Sequence, residues 1–174
     1  KEGSAPGDGF LAATCRAWEQ AAAPAAESGI RVIHPRIGVV LTKDGGALGK
    51  MLFPFKMGVG GIVGDGDQFM SWITLDDLLG IITYSLTNTE LSGPINAVSP
   101  NPCTNREFTK SLGRVMSRPT LFPMPAFAAR LAFGEMADAL LLSSSRVVPT
   151  RLAESRYNFV HPELESGLRH VLGK

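Results

Sequence analysis

Twice in this chain a short apolar run is followed by a threonine with an acid three residues beyond it. Phe69 to Ile73 leads to Thr74 and Asp77, and Ile95 to Val98 leads, after a brief interval, to Thr104 and Glu107. A threonine in that place accepts from the open backbone N–H groups of a helix start, and the acid answers it. The acids also suit the positive end of the helix. Behind Thr74 an apolar face is expected from Leu75, Leu78, Leu79, Ile82 and Leu86. Behind Thr104 it is expected from Phe108, Leu112, Val115 and Met116. Runs that feed capped helices, more than once, predict an α/β chain.

The rest of the pattern agrees but is sparse in strands. Residues 8–27 predict one helix through Phe10, Leu11, Thr14, Trp18 and Ala22, stopped by Ser28-Gly29. Ile30 to Ile33 predicts a strand and Ile37 to Leu41 a second apolar run, with Pro35 arguing against one continuous central strand. A helix over 47–56 is expected to be shortened by Pro54. Phe69 to Ile73 reads as a single strand. Only three or four strands result, few for a complete doubly wound domain. From Arg118 onward Pro119, Pro123 and Pro125 make a connector. The expected division is therefore 1–118 and 119–174, the second part mostly helical, with helices over 126–133, 135–142 and 162–172.

Composition excludes several classes. Apolar residues make up 44% and charged residues 19%, enough for a buried core. Seventeen Lys and Arg against sixteen Asp and Glu leave a net charge of +1, so neither nucleic acid nor an anionic membrane is an expected partner. Two cysteines make no disulfide framework, and a reducing cytoplasm is expected. The opening KEGSAPGDGF lacks a signal-peptide layout and a starting Met, which reads as the interior of a longer gene product.

Single motifs stay silent about chemistry. The loop Gly58 to Gly66 is not a dinucleotide fingerprint: position 63 is Val where a third glycine is required, and the loop runs into a strand instead of a helix. It reads instead as a flexible loop beside a ligand pocket. Asp76 and Asp77 point about 100° apart on a helix, so capping is preferred to a paired acid. His34, His161 and His170 show no metal-ligand spacing, and no metal is expected. Ser143-Ser144-Ser145 is no nucleophile elbow. Arg36, among apolar residues, calls for a carboxylate or phosphate. Phe53, Phe55 and Trp72 are core candidates first and pocket walls second.

An ordered set of segments carries more. It comprises Trp18-Glu19, Arg36-Ile37-Gly38-Val39-Val40-Leu41, Gly45-Gly46-Ala47-Leu48, Pro54-Phe55-Lys56, Gly64-Asp65-Gly66-Asp67-Gln68 and Ser71-Trp72-Ile73. Asp76-Asp77-Leu78, Gly93-Pro94-Ile95-Asn96, Ser99-Pro100, Thr104-Asn105, Arg118-Pro119 and Gly134-Glu135-Met136-Ala137 follow. Their order resembles the sugar-nucleotide epimerase-like family of atypical extended short-chain dehydrogenases/reductases, over nearly the whole chain. The resemblance implies the C-terminal part of an NAD(P)-binding Rossmann-type fold with a small C-terminal domain, the glycine-rich N-terminal half not being in this sequence. It implies NADP or NAD in the full-length protein, none held tightly by this chain alone, and a small-molecule substrate of the sugar-nucleotide class.

For the site, it implies cofactor contacts from Arg36, Gly38, Val39 and Val40, through backbone groups, and substrate contacts from Phe55, Gln68 and Trp72. Two departures matter. The family superfold places Tyr and Lys four apart on the helix of Glu19, and the matching positions here are Leu11 and Cys15. Thr74 stands where the family usually has His. No catalytic residue is therefore assigned. Two functions follow as expectations: the substrate-side piece of an NAD(P)-dependent nucleoside-diphosphate-sugar epimerase or reductase, inactive alone, or a non-catalytic NAD(P)-binding scaffold or sensor acting through a protein partner. Oligomeric state is left open.

Overall fold

The computed structural model describes residues 1–125, 127, 131 and 142–174. The helices expected over 126–133 and 135–142, with Gly134-Glu135-Met136-Ala137, lie outside the described residues apart from isolated positions.

The first expected helix is two. α1 (Phe10–Ala21) and α2 (Ala23–Glu27) divide at Ala22, because Pro24 in the first turn of α2 has no N–H to continue the ladder of α1. β1 (Ile33–Ile37) starts later than the sequence suggests and carries Pro35 at its centre, opposite Ile95. Among the described residues β1 is paired on one side only, a setting in which a missing N–H is tolerated. β2 (Val39–Leu41) follows after one residue, and α3 (Gly46–Lys56) keeps Pro54 within its last turn. Met57 and Gly58 close that turn with N–H bonds to Phe53 and Phe55. The expected 69–73 strand is also two, β3 (Phe69–Met70) and β4 (Trp72–Thr74). They part at Ser71, whose Oγ donates to Ser145 O at 2.7 Å and accepts from Val147 N at 2.9 Å.

α4 (Leu75–Thr87) begins at the Thr74 cap, and β5 (Gly93–Ala97) and β6 (Cys103–Thr104) precede α5 (Asn105–Met116) with its complete capping box. α6 (Thr150–Glu154) was not legible in the pattern; α7 (Leu164–Leu172) was. β1 pairs β5 and β2 pairs β4, both parallel, while β3 and β6 are antiparallel.

Gly38 joins the two parallel pairs. Its N–H bonds Ala97 O at 3.2 Å, and the next N–H, of Val39, bonds Ser71 O at 2.8 Å. The chain thus changes neighbour from β5 to β4 within one residue. A Cβ at Gly38 would lie 2.7 Å from Ser71 O and 2.8 Å from Val98 Cγ1, so no side chain fits.

Alternation along β4 builds the interior. Trp72 points to one face, into a core with Leu41, Leu48, Leu52, Phe55, Cys103, Phe108, Leu112, Val115 and Leu168. Ile73 points to the other, with Leu78, Ile81, Leu91, Ile95, Ala97 and Leu152. Helices α3, α5 and α7 cover the first core, and α4 and α6 the second. Trp72 is fully buried, its Nε1 donates to Asn101 O at 3.0 Å, and Gly167 of α7 lies against its ring.

The face predicted for α4 needs correction. Leu78 and Ile81 are the buried apolar positions, while Leu75, Leu79, Ile82 and Leu86 are exposed. The helix is apolar on both sides, and periodicity could not say which side this chain covers. α1 is more open still: it buries no residue, and Phe10, Leu11 and Trp18 are 83%, 64% and 74% exposed.

Candidate functional site

Ligands of open α/β sheets bind outside the carboxyl ends of the strands, so the β1–Gly38–β2 track is the place to begin. Arg36, near the end of β1, has its guanidinium occupied. Its Nε and Nη2 donate to the Glu19 carboxylate at 2.8 and 2.9 Å, and its Nη1 donates to Glu2 O at 3.0 Å. The pair holds the Glu19 carboxyl below its ordinary range and the Arg36 guanidinium above its own. Arg36 is a strap from β1 to α1, answering the carboxylate half of the sequence expectation. Gly38 and Val39 spend their N–H groups on Ala97 and Ser71, and Val40 lies opposite Ile73 in the β2–β4 pair. Those two N–H donors are committed to the fold.

Of the three expected substrate contacts, Phe55 and Gln68 meet the glycine loop and Trp72 shares a core with Phe55. Trp72 is fully buried and Phe55 is 5% exposed, so both serve the core and neither walls an open cleft of this chain. The Phe55 ring lies beneath Gly60, where a Cβ would come within 2.5 Å of it. Gln68 is half-buried, and its Nε2 donates to Val63 O at 3.0 Å.

The loop itself is tied down and not the free segment expected. Val63 N donates to Asn105 Oδ1 at 2.9 Å, Met124 N to Ile62 O at 2.8 Å, and Gly64 N to Met124 O at 3.0 Å. A side chain at Gly61 would overlap the Phe122 carbonyl. Bulky neighbours and these bonds explain its glycines without any phosphate.

Other functional groups carried no sequence signal. Glu2 is buried, and its Oε1 accepts from Asn96 N at 3.3 Å and from Arg151 N at 3.2 Å, tying the first residues to β5 and α6. Burial pushes the Cys103 thiol up to about 12, which removes it as a nucleophile at neutral pH. Asp76 and Asp77 do diverge, as helix geometry demands. Asp77 is buried and accepts from Val160 N at 2.7 Å and His161 N at 2.9 Å, with the Thr74 hydroxyl donating to it at 2.9 Å. Thr74 caps as expected, but the Asp77 carboxylate serves the 160–161 segment and does not complete a box. Asp76 instead meets His170, with Nε2 and Oδ2 2.8 Å apart. His161 stacks on His170, so two histidines set aside for lack of spacing are neighbours in space. Leu11 and Cys15 lie exposed on α1, where neither supplies a tyrosine-type acid or its lysine.

Comparison with known proteins places these observations. The family described as a domain of unknown function (DUF1731) matches residues 124–171. An epimerase family protein of Mycobacterium bovis is 42% identical over 170 residues, covering 98% of this chain and 56% of the relative. The crystal structure of human epimerase family protein SDR39U1 with NADPH has a TM-score of 0.79 at 36% identity, covering 83% of this chain and 49% of that one. That of a nucleoside-diphosphate sugar epimerase from Corynebacterium glutamicum has a TM-score of 0.78 at 36% identity, covering 99% and 33%. The chain spans about half the length of the curated relatives it matches.

Proposed function

We propose, because this chain belongs to the epimerase family of atypical extended short-chain dehydrogenases/reductases, that it is the substrate-side part of an NAD(P)-dependent nucleoside-diphosphate-sugar epimerase or reductase-like protein and is inactive alone. One observation carries the reading: among the described residues β1 is paired along one edge only. β1 pairs with β5, its other edge meets no described strand, and Phe10, Leu11 and Trp18 of α1 and Ile37 of β1 are exposed. An open parallel edge together with large exposed apolar side chains fits a second half-sheet. In this family fold that half carries the cofactor's glycine-rich turn.

Within that assembly the β1–Gly38–β2 track passes the cofactor, and its contacts come from the shape and carbonyls of Arg36, Gly38, Val39 and Val40. The cofactor supplies hydride chemistry when bound. Gln68 orients the substrate from the loop side, with Phe55 and Trp72 as the rigid support behind it. The part from 119 onward acts as the small second domain. A reducing cytoplasm suits two free cysteines, and no described helix is long and apolar enough to cross a membrane.

Leu11 and Cys15 favour a second reading, a cofactor-binding sensor without turnover. Titration with NADPH and NADH tests both. The 174-residue chain is expected not to bind either, and the full-length protein to bind at least one. Binding by the chain alone at equal affinity overturns the half-site reading. Bound NADPH that no nucleoside-diphosphate sugar turns over selects the sensor.

A further inference from the structure

Two distant stretches of the chain bring metal-ligating groups together at the start of α4. Asp76 comes from its first turn, His170 from the last turn of α7, and His161 from the segment before α7. His170 Nε2 lies 2.8 Å from Asp76 Oδ2. The two imidazoles stack with centroids 4.2 Å apart and planes 24° apart. One ligand-capable atom from each of the three side chains lies within 4.8 Å of the others.

The supports beneath are firm. Asp77 holds the backbone of Val160 and His161, and the fully buried Leu168 anchors α7 two residues before His170. The ligating side chains nonetheless reach solvent, with His170 49% and Asp76 57% exposed. A His–carboxylate hydrogen bond accounts for His170 and Asp76, while Asp77 and ring stacking bring His161 to the same point.

Two imidazoles and one carboxylate are a donor set for divalent ions of the zinc class, with bonds of about 2.0–2.2 Å. Two such bonds span at most about 4.4 Å. The present spread therefore closes with small side-chain movement. The rings must also turn out of their stack to aim both nitrogens at one ion, a rotation open to exposed side chains. We propose that Asp76, His161 and His170 form a binding site for one divalent transition-metal ion, completed by water, that staples α7 to the start of α4. The site rests on none of the cofactor assignments above.

The test uses full-length protein, chelator-stripped and free of any affinity tag, with Cys15→Ser to remove the exposed thiol as a rival ligand. Zinc is titrated by calorimetry, and cobalt is followed by its visible absorption. The expected result is one zinc per chain that His161→Ala, His170→Ala and Asp76→Asn each weaken at least about tenfold, the scale set by losing even an outer partner of a ligand. Cobalt should show an inner-sphere spectrum that the same variants lose. Melting without metal separates ligation from folding, and His161→Gln serves if His170→Ala melts early. No stoichiometric zinc uptake, or uptake that all three variants retain, overturns the proposal.

Discussion

The two tryptophans sit in regions of opposite finish. Trp72 is fully buried between α5 and α7, with its indole N–H satisfied by Asn101. Trp18 is 74% exposed on a helix that buries none of its residues. Both residues are equally apolar; only the neighbours differ. A scattered exposed Leu needs no explanation, but α1 exposes Phe10, Leu11 and Trp18 together and α4 exposes Leu79, Ile82 and Leu86. The contrast teaches that apolar character alone does not decide burial: Trp72 has its covering side chains close by, and Trp18 is left largely open.

The largest expected effect tests that contrast directly. Trp72→Ala should cost about 3–5 kcal/mol in urea unfolding, the range for large aromatic deletions in a core. Trp18→Ala in the same chain should stay within about 0.5 kcal/mol, as at ordinary surface positions. Equal costs would break the comparison. A larger cost of Trp18→Ala in the full-length protein would sharpen it.

Next in size is Asp77→Ala. It strips the partner from two backbone N–H groups and the Thr74 hydroxyl, and about 2–3 kcal/mol should be lost by the same measurement. A value near zero would mean the 160–161 segment is held by packing alone.

The smallest effect belongs to the open side. Glu19 has a folded pKa lowered by Arg36. Its contribution is therefore present above the ordinary glutamate value and fades as pH falls through the depressed folded value. Both side chains are partly exposed, which keeps the term below about 1 kcal/mol. Comparing Glu19→Gln with the parent at pH 7 and near pH 3 should show the difference shrinking in acid. A difference that grows in acid would refute the assignment.

What was legible in the sequence was local. The caps at Thr74 and Thr104 were readable because each spans a single turn, and α7 because its period is regular. Pro35 argued against one continuous central strand, and there is none among the described residues, but the break falls at Gly38 because a proline is tolerated where a strand lacks a neighbour on that side. Leu79 and Ile82 misled, because apolar character does not name the partner. Phe55 and Trp72 were weighed between core and pocket, and the β4 alternation that sends Trp72 inward emerges only once β2 lies alongside. The Asp76, His161 and His170 cluster was invisible because more than eighty positions separate Asp76 from the two histidines, and only the docking of α7 and the segment before it closes that interval.

Gly38 has a consequence for inheritance. At that residue one strand lets go of β5 and takes hold of β4, in a space that admits no Cβ. A substitution there would push on Ser71 and Val98 together and loosen both parallel pairs in a single event. Neighbouring valines can drift to other β-branched residues and lose little. A residue that contributes so few atoms thus leaves its codon little freedom, and a lineage that changed it would need simultaneous repairs on two strands to keep the fold.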